Sequence, residues 1–326
     1  MTRTSAAAKL HSALYLRLMH FRLQSQQLPL EDSADRMKKR VVKPGVAPAP
    51  PGEGEFSLIA NKKLLDLYAA MLKCRMVAKA IPSAKKGLRK RSVPISEAVT
   101  AGVTIDLLDG DAISPEACDL TPCVVKGVAV KTLLHWWSSA STRVPRVVTR
   151  TNVIPPAASP AARLEAALRL AAHFRSTNSE SVVVLFTGPG TLEPKRATSP
   201  DLSQRQLRSS LSQAADQRLP ILFVMQSETD ADDLIPISHQ SGVPCMVVDR
   251  DDVVAVYRAA SEAITHARRG NGPTLIHSKP WRLKGRGLKT RELRDCISKM
   301  ERYLAGKGLA YKAVKDRTIK KFRGEL

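Results

Sequence analysis

Val182-Val183-Val184-Leu185-Phe186-Thr187-Gly188-Pro189-Gly190 is the stretch on which the fold turns. Its first five residues form an unbroken apolar run rich in β-branched side chains, the pattern of a strand covered on both faces. A glycine turn follows at once, a common place for a phosphate or a metal-bound cofactor. The residue between the glycines is proline, which offers neither a side-chain ligand nor a backbone N–H.

Working outward, the same pattern repeats. Leu164, Leu168, Ala171 and Phe174 line one face of a helix before the strand. After the turn, polar residues 195–204 lead to a helix carrying Leu207, Leu211 and Ala214, then a second buried strand, Ile221 to Met225. A third run, Cys245 to Val248, precedes a helix with Val253, Tyr257, Ala260 and Ile264, and a fourth, Thr274 to His277, closes the series. Alternating strands and helices predict an α/β fold, a parallel sheet with helices on both faces. Upstream, Leu64, Tyr68, Met71 and Leu72 recur at helical spacing and end before Pro82, and residues 83–91 read as a basic loop. Downstream, Leu293, Ile297, Met300 and Leu304 share a helical face. Residues 92–150 mix Gly, Pro and Asp with short apolar runs and give no assignment. Val41 to Glu55 is Pro/Gly-rich and reads as a linker. The expected organisation is a basic arm and linker over 1–55, an α/β domain over 56–285 and a basic helical tail over 286–326.

Charge is concentrated at the flanks. Residues 1–50 carry nine Lys and Arg against three Asp and Glu, 73–91 eight against none, and 279–326 sixteen against five, within a formal net charge of +22. Basic flanks around a nearly neutral middle suit an acidic partner or a solvated basic surface. Aromatic residues make up only 4% and RNA-binding signatures are missing, which argues against base stacking but leaves a purely electrostatic nucleic-acid surface open. The five cysteines show no CxxC pair, as expected of reduced thiols in a cytoplasmic setting. Arg3, Lys9, Arg17 and Arg22 precede the first acid, Glu31, a composition shared by a basic amphipathic arm and a mitochondrial transit peptide, the latter implying the matrix. No apolar run is long enough to span a membrane.

In open parallel sheets ligands collect outside the carboxyl ends of the strands. Those ends read Gly188-Pro189-Gly190, Gln226-Ser227-Glu228, Asp249-Arg250-Asp251 and Lys279-Pro280-Trp281-Arg282. The GxG turn lacks the third glycine of a dinucleotide fingerprint, since Glu193 stands there, and no GKS or GKT follows to make a P-loop. There is no GxSxG, no HExxH and no metal-ligand spacing among the seven histidines; His173 lies near an apolar helical face and reads as packed or exposed. Arg286 within RLKGRGLK reads as a solvated basic loop able to fork onto phosphate.

In order, these pieces resemble the alpha subunit of the decarboxylating component of 2-oxo acid dehydrogenase complexes of the pyruvate, branched-chain and acetoin types. LLDLYAAMLKCRMVAKAI (64–81) is similar to the family's LLxLYxxMLxxRxxE helix, VVVLFTGPGT to its VVVxFxGDGA, and RLPILFVMQSE to its KLPVIFVxENN. The segment from Ser241 to Arg286 resembles its YGIPGxxVDGNDVLAVY…GPTLIExxTYRxxGH. The resemblance implies a thiamine-diphosphate-binding fold, an alpha2beta2 heterotetramer with a beta subunit, and oxidative decarboxylation of a 2-oxo acid, with the acyl group passed to a lipoyl-bearing acyltransferase. It implies cofactor contacts at Gly188, Gly190, Thr191, Ser227, Arg282 and Arg286. For Mg²⁺, a hard cation wanting oxygen ligands, it leaves Glu228 and Asp230. The departures are specific: Pro189 replaces the metal-binding Asp, Ser227 and Glu228 replace two Asn, and Arg286 replaces a loop histidine. No catalytic residue is assigned. The expectations that follow are an alpha-subunit-like protein with impaired or lost Mg–diphosphate binding, or a non-catalytic scaffold or regulatory paralogue, or, third, a basic nucleic-acid-binding α/β protein.

Overall fold

Four apolar runs and one short unexpected strand build the sheet. A computed structural model of the chain describes residues 59–80, 95–116, 119–138, 151–154, 160–188, 204–227, 234–281 and 295–325. The expected arm and linker, the basic loop 83–91, the polar stretch 195–203 and Leu293 lie outside them. In order the elements are α1 (Asn61–Ala80), α2 (Glu97–Thr104), β1 (Ala112–Ser114), α3 (Thr121–Val125), α4 (Val130–Ser138), α5 (Pro160–Ser176), β2 (Val183–Thr187), α6 (Gln204–Asp216), β3 (Ile221–Gln226), α7 (Ile235–Gln240), β4 (Cys245–Asp249), α8 (Val253–Arg268), β5 (Thr274–Lys279), α9 (Cys296–Gly306) and α10 (Tyr311–Glu325).

The strands form one five-stranded sheet in the order β1-β2-β3-β5-β4, with every pairing parallel. Along each strand the side chains alternate between two cores. Val184, Phe186, Leu222, Val224 and Ile276 face α2 and α8, while Val183, Leu185, Ile221, Phe223, Met225 and Leu275 face α5 and α6. Both faces are covered, so the strands read as continuous apolar runs, as the sequence implies. A third cluster joins α1 to α2 and α9 through Leu64, Leu67, Tyr68, Met71, Ala98, Ala101, Ile297, Met300 and Leu304.

Two features hold the layers in place. Gly102 lets α2 lie directly on α8, since a Cβ there would come within 2.8 Å of the Val256 side chain and 3.0 Å of the Tyr257 nitrogen. At the amino edge, fully buried Asp111 receives both Arg268 amino groups at 3.0 and 2.5 Å, along with the Val182 and Leu108 amides at 2.9 and 2.7 Å. One carboxylate thereby ties the starts of β1 and β2 to the end of α8. The stretch 92–150, unassigned from sequence, supplies α2, β1, α3 and α4.

Candidate functional site

The carboxyl ends of the strands meet on one edge, where the sequence places the site. Next to the Gly188 turn lies a side chain that no motif indicates. Glu116 follows the last residues of β1, and its Oε2 accepts the Gly188 amide at 2.7 Å. The same oxygen takes Nη2 of Arg163 at 3.0 Å, while Nη1 of Arg163 donates to the carbonyls of Pro115 at 2.7 Å and Phe186 at 3.0 Å. The pair is dry, with side chains 1% and 6% exposed. Arg163 projects from the first turn of α5, whose start Pro160 favours because its missing N–H is unneeded there. One buried ion pair therefore staples the ends of β1 and β2. The staple is not fully satisfied, since Nε of Arg163 and Oγ of buried Ser114 have no hydrogen-bond partner among the described residues.

The middle of the edge is a hydrogen-bonded network. The Gln226 side-chain oxygen accepts the Ser96 amide at 2.7 Å, aiming the start of α2 at the edge. Ser96 caps that helix by accepting the Ala98 amide. Oγ of Ser227 lies 2.8 Å from Nε2 of buried His277 on β5, the Ser227 amide donates to the Ser278 carbonyl at 2.9 Å, and Arg250 donates to the Ser227 carbonyl at 3.1 Å. Buried Asp119 accepts the Ile95 amide and both the amide and hydroxyl of Thr121. Burial pushes its carboxyl above the ordinary range although these donors pull it down.

At the β4 side, Lys299 bridges Asp249 at 2.7 Å and Asp252 at 3.3 Å. Burial disfavours the ammonium, yet the two carboxylates outweigh it and hold it more firmly protonated than a free lysine. Asp252 also caps α8 by accepting the Val254 and Ala255 amides. Burial raises the neighbouring Asp251 carboxyl against the pull of Arg250. Of these, Asp251, Asp252 and Lys299 line a cleft of about 270 Å³ together with Arg258, Cys296, Met300 and Tyr303. Behind it, Arg75 reaches Glu97 at 2.9 Å and Asp295 at 2.6 Å, and Cys296 donates to Glu97 at 3.2 Å. Burial and the Glu97 carboxylate hold that thiol protonated.

Of the residues the resemblance singles out, Gly188 and Ser227 are in place on the edge. Pro189, Gly190, Thr191, Glu228, Asp230, Arg282 and Arg286 lie outside the described residues. His173 is exposed, with its ring 6.4 Å from Phe174 and away from the edge. Reading the sequence missed Glu116, Arg163 and His277. Arg163 had one local signal: it interrupts the buried stripe of its own helix, one residue before Leu164 and four before Ala167. Glu116 had none, lying in the unassigned region 47 residues from its partner.

The Gly188 amide is taken by Glu116, a carboxylate that would repel a second anion at that spot. Arg163, Arg250, Lys299 and Arg75 each have a carboxylate within ion-pair distance. Among the described residues no group of three His, Cys, Asp or Glu side chains is placed to hold a metal ion.

The class defined by fold and edge is a parallel α/β protein whose carboxyl-edge site carries its own counter-charges. Comparison with known proteins narrows that class. The family model described as the dehydrogenase E1 component matches residues 225–326. Pyruvate dehydrogenase E1 component subunit alpha-3 of Arabidopsis thaliana chloroplasts is 34% identical over 135 residues, covering 37% of this chain and 28% of that one. The pyruvate dehydrogenase E1 component subunit alpha of Acholeplasma laidlawii is 25% identical over 243 residues, 69% of this chain and 66% of that one. The alpha subunit of acetoin:2,6-dichlorophenolindophenol oxidoreductase of Cupriavidus necator is 28% identical over 213 residues, 58% and 60% of the two chains. Over part of its length the chain is similar to the alpha subunits of dehydrogenase E1 components. It spans less than two thirds of the length of the relatives it matches.

Proposed function

We propose that this chain is an alpha-subunit-like protein that keeps the sheet and helical layers of its relatives without conventional Mg–thiamine-diphosphate binding, and that it acts by assembly with a beta-type dehydrogenase subunit. The observation that carries the reading is the Glu116 carboxylate on the Gly188 amide, balanced by buried Arg163. A backbone N–H at the end of a strand is what a diphosphate oxygen would seek, and here an internal anion already has it. Pro189 in the next position removes both an oxygen ligand and an N–H, so sequence and geometry lean the same way.

What the site retains is rigidity. Charge pairs tie β1 to β2, β4 to α9, and α1 to α2, which suits a subunit whose task is to present a surface. Isothermal titration of the full chain, alone and co-expressed with a beta-type subunit, tests both halves. The expected result is a stable complex with the beta-type subunit and no saturable binding of thiamine diphosphate with Mg²⁺ in either form. Mg-dependent binding at micromolar strength would refute the loss of the cofactor; failure to co-purify would refute the assembly role.

A further inference from the structure

The last two helices carry charge that the site does not use. Between Cys296 and Glu325 nine Lys and Arg stand against three Asp and Glu. α10 is anchored by buried Thr318 and Phe322. At about 100° per residue, Lys312, Arg317, Lys320 and Arg323 spread over the half of the helix away from that anchor, Lys321 sits at its margin beside Thr318, and Asp316 falls among them; all six are exposed. None of the five cations has an ion-pair partner among the described residues, whereas Lys315, on the packed side, reaches Glu301 at 2.9 Å. Arg317 with Lys320, Arg317 with Lys321, and Lys320 with Arg323 are three or four residues apart, where like charges oppose helix formation. From Lys312 to Arg323 the charges span roughly 16 Å of helix. Asp316, four residues from both Lys312 and Lys320, offsets part of that repulsion, and the five cations against one carboxylate leave a net positive face complementary to a row of anions.

The chemistry of the face selects among polyanions. Both aromatic residues of α10 are engaged: Phe322 is buried, and Tyr311 stands edge-on to Tyr68 with ring centroids 5.8 Å apart. On α10 itself no ring is presented on which an unpaired base could stack, as single-strand binding requires. A duplex turns its bases inward and offers a rigid phosphate lattice, with about one charge per 1.7 Å of axis in B-form DNA. We propose that the exposed face of α10 docks on the phosphate backbone of duplex nucleic acid without reading its sequence.

Fluorescence anisotropy of the full chain with labelled duplexes of about 25 base pairs, one DNA and one RNA, tests this. Five phosphate contacts predict a log–log salt slope of about −4.5, hence affinity about 500-fold weaker at about 200 mM than at about 50 mM salt. Arg317→Glu/Lys320→Glu/Lys321→Glu, with unchanged circular dichroism, is expected to weaken binding by more than about 100-fold at low salt. Arg175→Glu/Arg218→Glu changes exposed cations elsewhere and is expected to stay within about threefold of the parent. The proposal is overturned if the triple variant binds like the parent or if both variants lose affinity alike. It is equally overturned if a single strand of the same length binds more tightly, or if polyglutamate competes as well as duplex, which would mark an acidic protein as the partner.

Discussion

Replacing Arg163 with Met separates two accounts of the carboxyl edge. Met conserves much of the apolar stem but removes the guanidinium that faces Glu116 and donates to the Pro115 and Phe186 carbonyls. Because the pair is almost dry, the carboxylate loses its counter-charge where water cannot replace it. Breaking one partner of a buried pair costs about 3–5 kcal/mol, a large share of the roughly 5–15 kcal/mol that holds a typical domain together. Glu116→Gln, which strands the guanidinium instead, belongs in the same range. The double variant Arg163→Met/Glu116→Gln should lie closer to the parent than either single one, because the pair already buries an unpartnered Nε–H and its intact contribution is small. Urea titrations of the four proteins at low and high salt give the cycle, with unchanged m-values marking a pure stability effect. Salt should barely alter the coupling, since screening acts weakly on buried charges. Additive single losses, or a loss under about 1 kcal/mol for Arg163→Met, would show that water reaches the pair and would remove the basis for a site closed to anions.

Two further outcomes follow from local geometry. Gly102→Ala places a methyl 2.8 Å from the Val256 side chain; overpacking costs about 1–3 kcal/mol and outweighs the ~1 kcal/mol gained in helix propensity, so thermal melts should show a lower Tm. An increase in Tm would mean that α2 and α8 part without cost. Asp295→Asn acts on the start of α9. Burial pushes the Asp295 carboxyl up, but bonds from Arg75 and Ser298 prevail and hold it below the ordinary value. A depressed carboxyl stabilises the fold above its unfolded-state pKa, and that contribution is lost as pH falls through the folded one. Asn keeps a capping oxygen but loses the ion pair with Arg75, so the variant should be up to about 1 kcal/mol less stable at neutral pH, with the gap closing in acid; a gap that widens in acid contradicts the pairing.

The edge also bears on what the carboxyl ends of the strands can offer a ligand. Proteins similar to this chain are named as alpha subunits of a dehydrogenase E1 component or of an oxidoreductase, and the parallel sheet implied by the alternating strands and helices is present. At its edge, Gln226, Ser227 and His277 bond to one another or to backbone, and Arg163, Arg250 and Lys299 meet carboxylates. A ligand there would have to displace these contacts one by one, although Nε of Arg163 and Oγ of Ser114 are without a hydrogen-bond partner among the described residues.

By itself the sequence determined the elements whose signal is local. β2, β3 and β5 are legible because a strand covered on both faces must be apolar at successive positions, β4 because it is still a short apolar run although only Val248 is fully buried, and α1, α5 and α8 because buried residues recur at helical spacing. Tertiary structure decided what depends on distant partners. β1 is three residues long and ends in Ser114, too short and too polar to announce itself, and exists because Ala112, Ile113 and Ser114 pair with Val183, Val184 and Leu185. Nothing in the run Thr274–Lys279 says that it enters between β3 and β4, since strand order is set by how the crossovers pack and not by composition. Glu116 and Arg163 read separately as ordinary charged residues. Only the fold brings them together beneath Gly188, where exclusion of water turns two common side chains into a buried pair.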